Sequence, residues 1–212
     1  MIVTGIQHLC VIRIYRCPVD TPVDARGASS YAVNDGLLPV VGWQNAFVPD
    51  REPFLKWSHV SDGLSQTALC SELRSIRQVP IGSPIDPRDG QWAIPFAVTK
   101  PYTITKAEIN LFAQQCEETS RKAPPQFARP SVAYYAPNSG YNHVGTPNSP
   151  SCVSIDVLRN LASSLPAASN HGAGVNVLMA DGAVRHASSL VDLVVWRAVG
   201  SRNGNEFESN SF

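Results

Sequence analysis

The side chains best suited to chemistry in this chain are its histidines, its cysteines and one serine. His171 stands out because Gly172 and Gly174 follow it closely and leave the backbone open to approach. An imidazole there can serve as a general base or a metal ligand, but the preferred reading is a hydrogen bond that fixes a neighbouring loop against the strands that follow. A metal site built from His143, His171 and His186 would need loop closure that their spacing does not supply. Ser65 is the nucleophile a Ser65/His171 hydrolase would use. No Gly-X-Ser-X-Gly elbow surrounds it, however, and spacing puts neither a histidine nor an acid beside it. Asp86-Pro-Arg-Asp-Gly90 offers carboxylates to calcium but lacks the alternating oxygen ligands and closing Glu of an EF-hand, so it reads as a turn. The five cysteines, Cys10, Cys17, Cys70, Cys116 and Cys152, show no zinc-type spacing. Cys10 and Cys70 lie among apolar residues and read as small buried hydrophobes. These patterns therefore assign no catalytic residue, no cofactor and no metal.

The elements that must position these groups are clearest at the C-terminus. Val175, Val177 and Met179 alternate with Asn176, Leu178 and Ala180, Asp181-Gly182 interrupts, and Ala183-Val184-Arg185 resumes the alternation. Asp-Gly between alternating runs predicts a β-hairpin over 174–187 with a two-residue type I′ turn. That loop would pair Met179 with Val184 and Val177 with His186 on the core face, leaving Leu178 opposite Arg185 on the other. Ser189 or Asp192 then caps a short helix holding Leu193, Val194, Trp196 and Arg197 and ending at Gly200, with Trp196 in the core and Arg197 paired to a carboxylate. Thr105-Lys-Ala-Glu108 is a capping box with Ile109, Phe112 and Cys116 at helical spacing behind it, which predicts a helix over 106–120. Residues 9–16 read as a strand, 91–95 as an edge strand, and Asn34–Gly36 and Asp62-Gly63 as turns. Between 123 and 150 the chain turns to Pro, Asn, Gly and Tyr. There Tyr134, Tyr135, Tyr141, Asn142 and His143 form a candidate contact loop, although rings that lie over the sheet and close the core are the preferred reading.

Composition narrows the partners. Lys plus Arg equals Asp plus Glu at 17 each, so no net field attracts nucleic acid or an anionic membrane. No window approaches the ~18–20 apolar residues of a membrane span. The apolar start, Met1 to Tyr15, lacks the basic region and cleavage site of a secretory signal, and read literally it predicts a cytoplasmic protein. Charged residues at 16%, with 17 Pro and 14 Gly, favour loops and short strands over helices. One globular domain over 1–207 with a frayed tail at 208–212 is expected.

Five blocks carry a family resemblance. Nine residues separate His171 from Asp181-Gly182, and Trp196-Arg-Ala-Val-Gly200 leads on to Ser201-Arg-Asn-Gly-Asn-Glu206. This resembles the His-X9-Asp-Gly signature and Trp-Arg-Ala-Leu-Gly-Thr-Arg-like tail of a bacterial prepilin-like family of unknown function, similar to type II secretion pseudopilins. Cys17-Pro-Val-Asp20 is similar to its Cys-Pro-Ser-Asp segment, Ser30–Gly36 to Ser-Tyr-Ala-Gly-Asn, Val60–Glu72 to Asp-Gly-Thr-Ser-Asn-Thr-Ile-Leu-X-Gly-Glu, and Tyr141–Cys152 to a Tyr-Asn-Thr-Val-X-Pro-Pro-Asn-Ser-Pro-Ser-Cys loop. The chain departs from the pattern at Gly172-Ala173, where the family has Pro-Gly, at His186, commonly Phe, and at Asn205, where a Gly is usual.

The resemblance implies an α+β fold: a pilin-like head, mainly antiparallel sheet, with one clear helix, the C-terminal hairpin and the short last helix. It implies a non-enzymatic structural or interaction subunit of an extracytoplasmic assembly, with pilin-like subunits as partners and no membrane contact from this chain. His171, Asp181, Gly182, Trp196, Arg197, Asp62 and Gly63 become structural motif residues. Family members begin with a leader and a long apolar helix, so the expected location is the cell envelope, or the cytoplasm if Met1 is the true start. In an exported domain Cys116 and Cys152 can form a disulfide that fastens the loop to the helix, although connectivity is not legible in sequence. The competing readings are an extracytoplasmic binding module that uses loop 134–152 and the Ser65/His171 hydrolase.

Overall fold

The computed structural model describes residues 16–20, 29–37, 56–74, 84–85, 89–96, 105–128, 140–154 and 163–204. The expected strand 9–16, Tyr134, Tyr135 and the tail 208–212 lie outside the described residues, apart from Arg16.

The chain is α+β, with two mixed, mostly antiparallel sheets. The larger contains β1 (Tyr31–Asn34), β2 (Ala68–Glu72), β5 (Gly140–Tyr141), β8 (Gly174–Met179) and β9 (Val184–Ser188), in the order β5-β1-β2-β8-β9. The smaller contains β3 (Gly90–Ile94), β4 (Phe127–Ala128), β6 (Ser151–Ser154) and β7 (Ser163–Ser164), in the order β4-β3-β6-β7. Two pairings are parallel, β1 with β5 and β3 with β6. β3 is thus interior to its sheet, not the edge strand expected for 91–95. Pro95 falls just after its last residue, where a missing N–H interrupts no ladder bond.

The first helix, α1 (Lys106–Lys122), begins as its capping box dictates: the Thr105 hydroxyl accepts from the Glu108 N–H at 3.2 Å, and the Glu108 carboxylate accepts from the Thr105 N–H at 2.7 Å. It runs two residues past the expected end, up to Ala123-Pro124-Pro125, which cannot continue a helix. Its buried stripe of Ile109, Phe112 and Cys116 packs with Trp92, Ile94, Phe96, Val144 and Cys152 into one core cluster, in which Phe96 and Phe112 meet edge to face at 5.0 Å. A disulfide joins Cys116 to Cys152, with Cα atoms 5.8 Å apart, and ties α1 to β6. No helix among the described residues is long and apolar enough to cross a membrane.

The second helix, α2 (Leu193–Gly200), takes Asp192 rather than Ser189 as its cap, since the Asp192 carboxylate accepts from the N–H groups of Val194 and Val195. Trp196 from α2 is fully buried against the larger sheet with Tyr141, Val175, Val177, Met179, Ala187 and Val199.

The C-terminal hairpin forms in a register shifted by one from the expected one. Met179 accepts from the Gly182 N–H at 3.0 Å and donates to the Ala183 carbonyl at 2.8 Å, so the loop holds three residues, 180–182. Gly182 alone has positive φ, +89°, while the Asp181 carboxylate accepts from the Ala183 N–H and holds Asp181 out of the left-handed region a type I′ turn requires. Leu178 therefore faces Val184, Val177 faces Arg185, and Asn176 faces His186. The core residues of β8 keep their expected inward face, but Val184 is 67% exposed and His186 lies on the outer face, with Ala187 buried in their stead.

Candidate functional site

Three distant segments meet where β2 ends and β8 begins. Glu72 closes β2, a strand paired on both sides, and is buried; one carboxylate oxygen accepts from the Asn176 backbone N–H at 2.8 Å, the other from the Asn176 side chain at 3.3 Å. Cys17, also buried, starts a turn closed by the Asp20 N–H on its carbonyl. Ser30 donates to the Asp20 carboxylate at 2.8 Å and Asn170 reaches it at 3.4 Å, so that turn is fastened beside the approach to β8. His171 sits on that approach, its N–H on the Ser169 hydroxyl, followed by Gly172 at φ +85°. Its Nε2 lies 3.1 Å from the Cys17 Sγ and 3.3 Å from Glu72 Oε1. All three donor atoms fall within 4.8 Å of one another.

His171 thus binds the Cys17–Asp20 turn to the start of the hairpin strand. Sequence reasoning missed its two companions, because Cys17 and His171 are 154 positions apart and no local spacing connects them. A signal was present nonetheless: Cys17 opens one of the recognised segments, Glu72 ends another and His171 opens a third.

The Ser65/His171 pair is not assembled. The Asp181 N–H donates to the Leu64 carbonyl, which places Ser65 at the tip of the hairpin, whereas His171 precedes its base. The five residues of β2 lie between them, roughly 16 Å of extended chain. Nor do His143, His171 and His186 converge, since His143 is wholly buried elsewhere and His186 lies on the outer face of β9.

The remaining motif residues join segments to one another. The Asp62 carboxylate accepts from the Ser201 hydroxyl at 2.9 Å and the Gly204 N–H at 2.8 Å, holding the segment after α2, while Gly63 turns the chain at φ +97°. Arg197 has no carboxylate partner among the described residues. Its guanidinium donates to the Val144 carbonyl, at 3.2 Å and 2.7 Å, and to the Asn110 side chain on α1. The Trp196 indole donates to the Gly145 carbonyl at 2.9 Å.

Tyr141, Asn142 and His143 cannot form a contact surface, because all three are buried. The Trp196 carbonyl can only accept, so His143 Nδ1 carries the proton and donates at 2.8 Å, leaving Nε2 to accept from the Tyr141 hydroxyl at 3.1 Å. Burial pushes the His143 pKa down to about 3, the Trp196 carbonyl pulling weakly the other way. The ring stacks on Trp196 at 4.1 Å, and a Cβ at Gly200 would overlap it. The Asn142 amide donates to the Ser163 carbonyl and accepts from the Leu165 N–H.

A cleft of about 350 Å³ opens beside these segments, lined by Arg74, Trp92, Asn148, Ser149, Ser169 and Asn170 among others. Arg74 is 9% exposed and pairs with Asp89 at 2.9 Å through Nη2. Its Nε and Nη1, and the Ser149 hydroxyl, have no hydrogen-bond partner among the described residues.

Fold and site together define an α+β domain whose recognised segments converge on internal hydrogen bonds and one three-donor cluster. The chain belongs to the SBP_bac_10 family, described as a protein of unknown function (DUF1559), whose model matches residues 7–193. No curated protein and no solved structure matches the chain.

Proposed function

We propose that this chain is a non-enzymatic structural or interaction subunit, resembling the exported head of a pseudopilin in an extracytoplasmic assembly. The observation that carries the reading is the use to which the motif residues are put. Asp62 holds the segment after α2, Arg197 and Trp196 bind the loop after β5, and Asn34 donates to the carbonyls of Ala68 and Gly200. Polar groups spent on satisfying backbone across a fold make a rigid module that presents a surface, not a reaction centre. A Cys116–Cys152 disulfide suits an oxidising compartment.

The test is fractionation of the native host together with photo-crosslinking from probes at the exposed positions Leu111 and Leu190. Recovery in the envelope fraction with crosslinks to pilin-like subunits is the expected result. Recovery in the cytosol alone, with the cysteines reduced, would overturn the proposal.

A second reading, a binding module, is favoured by the cleft, whose lining brings Arg74, Asn148, Ser149, Ser169 and Asn170 together. A guanidinium among hydroxyl and amide side chains suits a carboxylate-bearing small ligand. A saturable thermal shift from such a ligand, lost in Arg74→Gln, would support it; no shift across a panel of small carboxylates would dismiss it.

A further inference from the structure

We propose that Cys17, Glu72 and His171 form a zinc site. Two features distinguish the cluster from an ordinary hydrogen-bonded contact. First, both close contacts use the same ring nitrogen, Nε2, at 3.1 Å from the thiol sulfur and 3.3 Å from the carboxylate oxygen. A catalytic cysteine–histidine–acid relay needs the acid on the other nitrogen, where it can orient the ring, so the arrangement is not a nucleophile with its base. One N–H serves one acceptor well, and without the proton Nε2 faces the carboxylate lone pairs. A cation at the common point satisfies all three atoms together.

Second, the spacing suits a tetrahedral ion. Zinc bonds of ~2.3 Å to sulfur and ~2.0–2.2 Å to nitrogen and oxygen place neighbouring ligand atoms roughly 3.3–3.6 Å apart. The nitrogen-to-oxygen contact already matches, the nitrogen-to-sulfur contact has to open by roughly 0.5 Å, and the sulfur lies within 4.8 Å of the carboxylate oxygen. Thiolate and imidazole select zinc over calcium or magnesium. Binding releases the thiol proton to solvent, and thiolate plus carboxylate then balance the dication, so the buried part of the site is left with no net charge. Glu72 is held in place by the Asn176 N–H on its second oxygen, the kind of outer hydrogen bond that orients a metal ligand. The His171 side chain is 39% exposed, which gives the ion a route in and leaves its fourth position to water. The ion would tie the Cys17–Asp20 turn, the central strand β2 and the start of β8 to one point.

Purified protein with its disulfide intact is titrated with zinc against a chromophoric chelator and, separately, with cobalt. The expected results are one zinc per chain and, with cobalt, a thiolate-to-metal charge-transfer band. Cys70→Ser, which removes the other free thiol of the described residues, keeps the band. Cys17→Ser abolishes it. His171→Gln and Glu72→Gln each weaken zinc binding by more than about 100-fold, beyond the ~10–100-fold that losing an outer hydrogen-bond partner costs. Circular dichroism shows whether each variant is folded. Should a variant unfold, the wild-type band with its Cys70→Ser control decides. Folded wild-type protein that gives no charge-transfer band, or zinc affinity unchanged in folded Cys17→Ser and His171→Gln, overturns the proposal.

Discussion

Asp35 and His143 follow the paired strands β1 and β5, and their pKa values are displaced in opposite directions by burial. The Asp35 carboxyl is raised to about 7 and the His143 imidazole lowered to about 3. From about pH 4 to 7 the folded state holds a proton on Asp35 that the unfolded chain has released, so stability falls as pH rises through that window. From about pH 6.5 down to 3 the unfolded chain binds a proton on its histidine that folded His143 refuses, so stability falls as pH drops. The two slopes oppose each other between about pH 4 and 6.5. Asp35→Asn removes one of them. Its stability relative to the parent should rise with pH from 4 to 7 by a few kcal/mol and level off above, as read from urea midpoints at each pH. A difference independent of pH would show that Asp35 titrates normally in the fold.

At the scale of elements, local chemistry decided where helices begin. Both caps act through one side chain on the first turn: Thr105 for α1 and Asp192 for α2. Thr105→Ala should cost about 1 kcal/mol in chemical denaturation, and Asp192→Ala a similar amount, with faster amide exchange in the first turn of the affected helix. An unchanged midpoint for both would mean that packing alone sets these helix starts. The hairpin shows where local chemistry divides. Asp-Gly specifies a turn, but the Asp181 carboxylate on the Ala183 N–H stabilises a three-residue loop over the two-residue one. A one-residue difference in loop length exchanges which residues of β9 face inward, and so His186 points outward, away from the core.

At the scale of the whole molecule, the two sheets each have their own core cluster, and side chains such as Asn142, Arg74 and Arg197 link them. Arg197 reaches from α2 to Asn110 on α1 and to the Val144 carbonyl, and burial lowers its pKa without a described carboxylate to compensate. The Cys116–Cys152 disulfide spans a sequence separation of 36 and ties α1 to the smaller sheet. By loop-closure entropy it is worth about 4 kcal/mol, so reduction or a Cys116→Ser, Cys152→Ser double variant should lower the denaturation midpoint accordingly. If oxidised and reduced protein unfold together, the linkage contributes nothing to stability.

By itself the sequence determined the features whose causes lie within a few residues: the start and cap of α1, the presence of the hairpin though not its register, the last helix with Trp196 on its buried face, and the turn at Asp62-Gly63. Hydrophobic period, capping chemistry and turn residues are local, and so are legible. Only the tertiary structure decided that β3 lies inside its sheet and that Cys17, Glu72 and His171 meet. Each of those depends on which strands pair across long separations. Pairing is set by the summed burial of many side chains, and no single spacing in the chain records it.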